Sequence, residues 1–222
     1  MEKDALPSLN DLGTLANKVY AVLEGAILAG KLKQGDRLVE EELAAMLGVS
    51  RGPVREALRM MEKDGLVKLI PRKGAVVNSI SPEDLAEIYE VAVVLEELTV
   101  NLFCRRATEE EIEALEKICA EMREEMQRGN VAQYRVLNRQ FHEVLICGSR
   151  NKRLIDLYKK LRKQIFWFQN VSPDFPIMME RWLEEHQRII DFLRKRDAAA
   201  AGKMASNHLR KAAQAFLRKE QS

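Results

Sequence analysis

The sequence predicts a mainly helical protein: an N-terminal winged helix-turn-helix followed by a C-terminal all-α antiparallel helical bundle. Three observations carry that prediction. A short apolar helix, a tight turn and an arginine-rich helix meet between Gly48 and Leu58; two strand-like pieces follow around a basic turn; and from Ser81 onward only long amphipathic helices appear. With 222 residues and 46% apolar side chains, the chain is sized for two domains with real cores.

From about Leu9 to Gly30 the chain reads as a first helix, with Leu15, Val19, Val22, Leu23, Ala26 and Ile27 on one stripe and Gly30 as its stop. Gly35-Asp36 is a turn signal, and Glu40 to Leu47 is a short helix with Leu43, Ala44 and Leu47 inward. Gly48 and Val49 mark its end. Ser50 offers an N-cap oxygen to the next helix, and Pro53 falls in that helix's first turn, where a missing N–H costs nothing. Arg51, Arg55 and Arg59, spaced by four, line one side, while Val54, Ala57, Leu58 and Met61 line the other. An apolar back and an arginine front suit insertion into a DNA major groove, where guanidinium groups meet phosphates and guanine acceptors.

Gly65 closes the arginine helix. Leu66 to Ile70 and Ala75 to Val77 are then two strand-like pieces around Pro71-Arg72-Lys73-Gly74, a basic hairpin tip placed as a wing. The charge distribution agrees: Met1 to Val49 holds 5 basic and 8 acidic residues, whereas Ser50 to Gly74 holds 7 basic and 3 acidic. Positive charge is thus gathered on the presumed reading helix and wing although the whole chain carries only +2.

Ser81-Pro82-Glu83-Asp84 is a strong helix opening, which puts the domain boundary at Asn78 to Ser81: residues 1–78 for DNA binding, 79–222 for effector binding and dimerisation. Thr108-Glu109-Glu110-Glu111 opens the next helix as a capping box and Gly129 closes it. Further helices run from about Val131 to Cys147, Lys152 to Gln169, Ile177 to Arg196 and Ala198 to Lys219, punctuated by Gly148, Ser172-Pro173 and Asp197. Six helices with short connections imply an antiparallel bundle.

The chain's three histidines all fall in this bundle. His142 shares a stripe with Asn138, Phe141 and Leu145; His186 with Trp182, Ile189, Ile190 and Leu193; His208 with Ala201, Met204, Ala212 and Ala215. Each therefore points inward from a different helix. A buried imidazole needs a partner, and few other polar residues sit on these stripes, so one shared metal satisfies all three. Asn138 and His142, at i and i+4, bring a carboxamide oxygen and an imidazole to the same point.

Cys104, Cys119 and Cys147 are an odd number without paired spacing, which argues against a disulfide scaffold and fits a reducing cytoplasm. The start, Met-Glu-Lys-Asp, is not that of a signal peptide, and no apolar run of membrane-spanning length occurs, so no membrane is expected.

The order of three helices and a wing, with "LAAMLGVSRGPVREALRMMEKDGLV" at its centre, resembles the DNA-binding domain of the GntR family of bacterial transcription regulators over roughly residues 9 to 78. That resemblance implies that Ser50, Arg51 and Arg55 contact double-stranded operator DNA, that Arg37 lies near the backbone and that Arg72, Lys73 and Gly74 form the wing tip. Arg59 joins them by its place on the same helix face. Gly52 departs from the Thr or Ser common in the family, so it lacks a side-chain contact.

Residues 82 to 218 are similar to the FCD ligand-binding domain of the FadR subfamily, many members of which hold a metal through an Asp or Asn and three histidines. Asn138 and His142, His186 in "EEHQRIIDFL" and His208 in "KMASNHLR" match that set. Asn in place of Asp makes all four ligands neutral. The charge of a divalent ion is then uncompensated, an imidazole-loving transition metal such as zinc or nickel is favoured, and a small organic-acid effector can complete the shell. The family's arginine on the first bundle helix is replaced here by Ala92, and Arg135, before His142 on the same face, is a stand-in for binding the effector.

The function expected is a homodimeric transcription regulator, not an enzyme, whose operator affinity changes because the effector binds its DNA-competent and incompetent arrangements unequally. The competing readings are a metal-dependent hydrolase at the three-histidine site, or a bundle that only dimerises. The first needs a general base beside the metal. Glu143, the neighbour of His142, points about 100° away around the helix.

Overall fold

The computed structural model describes residues 14–70, 74–171 and 175–217. The chain divides into two compact units, Met1–Ser79 and Ile80–Ser222.

The first unit contains α1 (Leu15–Leu28), β1 (Arg37–Leu38), α2 (Glu40–Leu47), α3 (Arg51–Lys63), β2 (Val67–Ile70) and β3 (Gly74–Val77). Helix α1 starts behind Thr14, whose hydroxyl accepts the Asn17 N–H; the proposed start at Leu9 lies outside the described residues. Its buried stripe is Ala16, Val19, Tyr20, Leu23 and Ile27. Leu15 and Val22, expected inward, are exposed. The expected set spanned too wide an arc, and the amphipathic ring of Tyr20 fills the inward place because its hydroxyl reaches Asp64 at the end of α3.

Helix α2 ends on Gly48, which takes the left-handed conformation (φ 64°) that glycine adopts without a Cβ penalty. Ser50 occupies the N-cap of α3 with extended backbone, but its side chain makes no capping hydrogen bond, contrary to expectation. Val54, Ala57, Leu58 and Met61 are fully buried under α3, as its spacing predicts. The strands form one antiparallel sheet in the order β1-β3-β2, with Arg37 opposite Val76 and Ile70 opposite Gly74. Strand β1 was not anticipated, since two residues carry no readable period.

The second unit contains α4 (Pro82–Arg106), α5 (Glu109–Gln127), α6 (Val131–Gly148), α7 (Lys152–Val171), α8 (Phe175–Arg194) and α9 (Ala198–Leu217). The predicted capping box of Thr108 and Glu111 forms at the start of α5, and the predicted opening at Ser81 is a capping box as well, in which Ser81 and Asp84 exchange side-chain and backbone hydrogen bonds at the start of α4. Ser172-Pro173 and Lys219 lie outside the described residues. Helices α4 and α9 cross closely because small residues, Ala201, Gly202, Ala205 and Ser206, face α4. A Cβ on Gly202 would stand 2.9 Å from the Glu97 carbonyl oxygen. Against this pair pack α6, α7 and α8, and α5 packs on α6 and α8, with a core of Phe103, Tyr134, Phe141, Tyr158, Trp167 and Phe175. Among the described residues no helix is long and apolar enough to cross a membrane.

Candidate functional site

On the first unit, Arg37, Ser50, Arg51, Arg55, Arg59 and Gly74 are all exposed, while Arg72 and Lys73 lie outside the described residues. The three arginines project from one side of α3, opposite its buried face. A feature absent from the sequence reading is Glu40, the first residue of α2. Its carboxylate accepts from Arg55 Nε at 3.1 Å and from a second Arg55 nitrogen at 2.9 Å, and a nitrogen of Arg51 stands 4.0 Å away. The Arg55 hydrogen bond holds the Glu40 carboxyl below its ordinary range and raises Arg55 in return. The guanidinium is thereby fixed as a fork before any phosphate or base meets it.

In the second unit, His142, His186 and His208 are 2%, 0% and 4% exposed. Each has a nitrogen within 4.8 Å of one on the others, so the three rings converge although 66 positions separate the first from the last. Ring centroids are 5.2 Å apart for His142 and His186, 4.8 Å for His186 and His208, and 5.9 Å for His142 and His208. The helical period makes this possible: α6 buries Asn138, Phe141, His142 and Leu145 on one stripe, α8 buries Trp182, His186 and Ile190, and α9 buries Ala205, His208 and Ala212. His186 stacks on Phe141 at 4.3 Å. Asn138 is buried one turn before His142, with its Oδ1 unpartnered.

Two carboxylates stand behind this cluster. Glu185 Oε2 lies 2.7 Å from His208 Nδ1, and Lys211 donates to Glu185 Oε1 at 2.8 Å. Burial alone would raise the Glu185 carboxyl, but the bonds from His208 and Lys211 outweigh it and bring it down to about 2. An ionised Glu185 makes His208 Nδ1 the donor in this bond. Glu96 on α4 accepts a short hydrogen bond from Tyr158, and its Oε1 lies 3.3 Å from His142 Nδ1, close but not aligned as a hydrogen bond. Its carboxyl, too, is held at about 2 against the opposing effect of burial, by His142, Arg162 and Tyr158. Burial and the nearby Arg162 charge push His142 down to about 3, and burial drives His186 well below the ordinary range. Those two rings are therefore neutral at pH 7, the form that binds metals.

The sequence reading, which had few polar groups on the stripes, missed these carboxylates. Two negative charges lie one residue behind the imidazoles, an arrangement that orients histidine ligands and raises their basicity. The readable signal was a charged residue inside an apolar stripe. Glu96 sits among Ala92, Val93, Thr99 and Val100, and Arg162 among Tyr158, Ile165 and Phe166.

Among the described residues, eight buried side-chain nitrogens and oxygens lack a hydrogen-bond partner: Glu96 Oε1, Thr99 Oγ1, Arg135 Nε, Asn138 Oδ1, His142 Nδ1, Arg162 Nε and both nitrogens of His186. All belong to α4, α6, α7 and α8. An unsatisfied buried polar group costs about 1–3 kcal/mol, and Asn138 Oδ1, His142 Nδ1 and both nitrogens of His186 fall together at the histidine cluster. Three converging imidazoles, with the carboxamide of Asn138 beside one of them, fit a borderline-soft divalent transition metal in nitrogen-rich coordination.

Arg135 is neither solvated nor in the cluster: it is half-buried, with its guanidinium 4.6 Å from the centroid of Phe175. Glu143 points away from the histidines and pairs with Lys159 at 3.3 Å. The three cysteines are free, with only Cys147 exposed.

Comparison with known proteins adds the following. Residues 15–77 match the family of bacterial regulatory proteins called the gntR family, and residues 87–211 match the FCD domain. The chain is 36% identical to the HTH-type transcriptional regulator YdhC of Bacillus subtilis, over 82% of each chain. It is 31% identical to the Nta operon transcriptional regulator of Aminobacter aminovorans, over 81% of this chain and 83% of that protein. The solved structure of E. coli McbR/YncC shares the fold with a TM-score of 0.77, covering 94% of this chain and 99% of that one at 21% identity.

Proposed function

Because the chain belongs to the GntR family of bacterial transcriptional regulators and carries an FCD domain, we propose that it is a FadR-subfamily member, acting in the cytoplasm, whose operator affinity is set by a metal-dependent effector site. In this reading the first unit binds double-stranded operator DNA. Arg51, Arg55 and Arg59 of α3 enter the major groove with Ser50 at the helix start, Arg37 lies near the backbone, and Arg72, Lys73 and Gly74 reach along the wing. The second unit holds a divalent ion, zinc or nickel, through Asn138, His142, His186 and His208. A small organic acid completes the coordination and biases one arrangement of the dimer over another.

The observation that carries this reading is the state of His186: fully buried, facing two other imidazoles, with both nitrogens unpartnered. A core histidine kept for packing has a hydrogen-bond partner; one kept for a metal awaits it. The charge pattern of α3 supports the DNA half, and the exposed apolar series Val91, Val94 and Leu98 along α4 supports self-association. When bound, the metal supplies a Lewis-acidic point for a carboxylate oxygen. Glu185 orients His208 through its Nδ1, Glu96 stands beside His142 Nδ1, and the surrounding apolar residues keep water away.

Elemental analysis of protein purified without chelator tests the proposal. Zinc or nickel close to one per chain is the expected result. A metal-free sample that takes up neither ion refutes the sensor site, and leaves the DNA-binding half to be judged by its own variants.

A further inference from the structure

Helix α4 turns Leu85, Tyr89, Ala92, Glu96 and Phe103 into the bundle. Its opposite side carries Glu87, Val91, Val94, Leu98, Asn101 and Arg105, spaced alternately by four and three residues, the period of a seam between helices. Val91, Val94 and Leu98 are 50%, 66% and 44% exposed, Asn101 is half-buried, and both charged ends are exposed. The stripe runs about 27 Å along the helix. Apolar surface continues on both flanks. Leu157 of α7, next to the Tyr158 that bonds Glu96, is 52% exposed. On the other flank a groove of about 330 Å³ between α4 and α9 is lined by Val93, Val94, Ala213 and Leu217.

An apolar face of this breadth marks a contact surface, and its pattern says what covers it. The stripe is acidic at one end, basic at the other and apolar between, and its positions are symmetric about Glu96. Laid antiparallel on a second copy of itself, it sets Val94 against the partner's Leu98, Val91 against the partner's Asn101 and Glu87 against the partner's Arg105. By the two-fold symmetry each contact occurs twice. Laid parallel, Glu87 meets Glu87 and Arg105 meets Arg105. Neither charge has an ion-pair partner among the described residues. Two such rim pairs add little strength, but they set direction and register. A membrane surface or a nucleic acid calls for one sign of charge along the row, whereas this row carries both.

Resting on the self-association reading above, we infer that α4 pairs with α4 of a second copy of this chain in an antiparallel seam whose two-fold axis passes at the level of Glu96. Val94 and Leu98 form its core, and Glu87 and Arg105 pair at its ends. Glu96 itself faces the other way, 3.3 Å from His142 Nδ1, so the seam and the imidazole cluster lie on opposite faces of one helix.

Analytical ultracentrifugation of the full-length protein and disulfide cross-linking in a Cys147→Ser background, which removes the exposed cysteine, test this together. Leu98→Glu, at an exposed position outside the bundle core, should weaken dimerisation by about tenfold or more, because it places a carboxylate in the seam. Val91→Cys and Asn101→Cys should each fail to cross-link alone, since Val91 lies about 15 Å along the axis from its own copy. Mixed and allowed to exchange subunits, the two variants should cross-link to each other. Cross-linking of either variant alone means parallel pairing and overturns the inference. So does a dimer indifferent to Leu98→Glu, or one in which the mixture never cross-links. The cross-links decide the matter even if the glutamate variant fails to fold. A wild type that stays monomeric refutes self-association itself, an outcome distinct from a dimer built on another face.

Discussion

Replacing His186 with leucine separates a metal ligand from a packing histidine, because the two readings predict opposite signs. The ring is fully buried, stacks on Phe141 at 4.3 Å and leaves both nitrogens unpartnered. His186→Leu removes those two unsatisfied atoms with a side chain of similar bulk, a relief of about 1–3 kcal/mol for each group left unpaired. It forfeits a ring contact of roughly 0.5–1.5 kcal/mol. Metal-free variant should therefore be as stable as metal-free wild type, or more stable. Zinc at about a hundred times its dissociation constant should stabilise the wild type by roughly 2.7 kcal/mol, which for a chain of this size is about 5–11 °C in Tm. The variant should show none of that gain. Thermal unfolding followed by circular dichroism, on chelator-treated protein with and without zinc, gives both numbers. The reasoning is refuted if the leucine variant keeps the zinc-dependent rise, or if it loses more than about 2 kcal/mol without metal, the cost expected of a satisfied core histidine.

Other outcomes follow from the same geometry. Glu96→Gln and Glu185→Gln should each weaken zinc binding by about 10–100-fold in a chelator competition, as removal of carboxylates behind histidine ligands does; unchanged affinity in both would deny them a supporting role. Asn138→Asp should tighten zinc binding while lowering metal-free stability, since the new carboxylate is buried without a cation, and denaturant titration with and without zinc reads both effects. Arg55→Ala should lower the salt slope of DNA binding by about 0.9 if that guanidinium meets one phosphate, with helical content unchanged; an unaltered slope and affinity would misplace the reading helix. Gly202→Ala should destabilise the bundle by about 1–3 kcal/mol, because its Cβ would press on the Glu97 carbonyl at 2.9 Å and on Asn101.

What the sequence made legible was local. Ser81 with Asp84 and Thr108 with Glu111 announce helix starts within four residues, and the i, i+4 pairing of Asn138 with His142 follows from one turn of helix. The inward direction of each histidine was readable from its apolar neighbours, and the family pattern supplied the expectation that they meet. What stayed hidden was contact between helices. Glu96 serves a histidine 46 positions away, on another helix. Glu185 is adjacent to His186 but serves His208 on α9, because neighbours on a helix point about 100° apart. Arg162 was legible only as a charge out of place in an apolar stripe. On α1, aliphatic residues at too many phases left Leu15 and Val22 outside, while Tyr20 turned in to reach Asp64.

The bond between Glu40 and Arg55 bears on how this surface treats nucleic acid in general. A phosphate that meets Arg55 must first displace Glu40, a partly exposed partner worth at most about 1 kcal/mol. Release is favourable only where a better-fitting acceptor pair, such as the paired edge of guanine, compensates for the partner given up. On the proposed DNA reading, such an intramolecular competitor would trim adhesion to random duplex more than attachment to the operator, without adding a single contact to it.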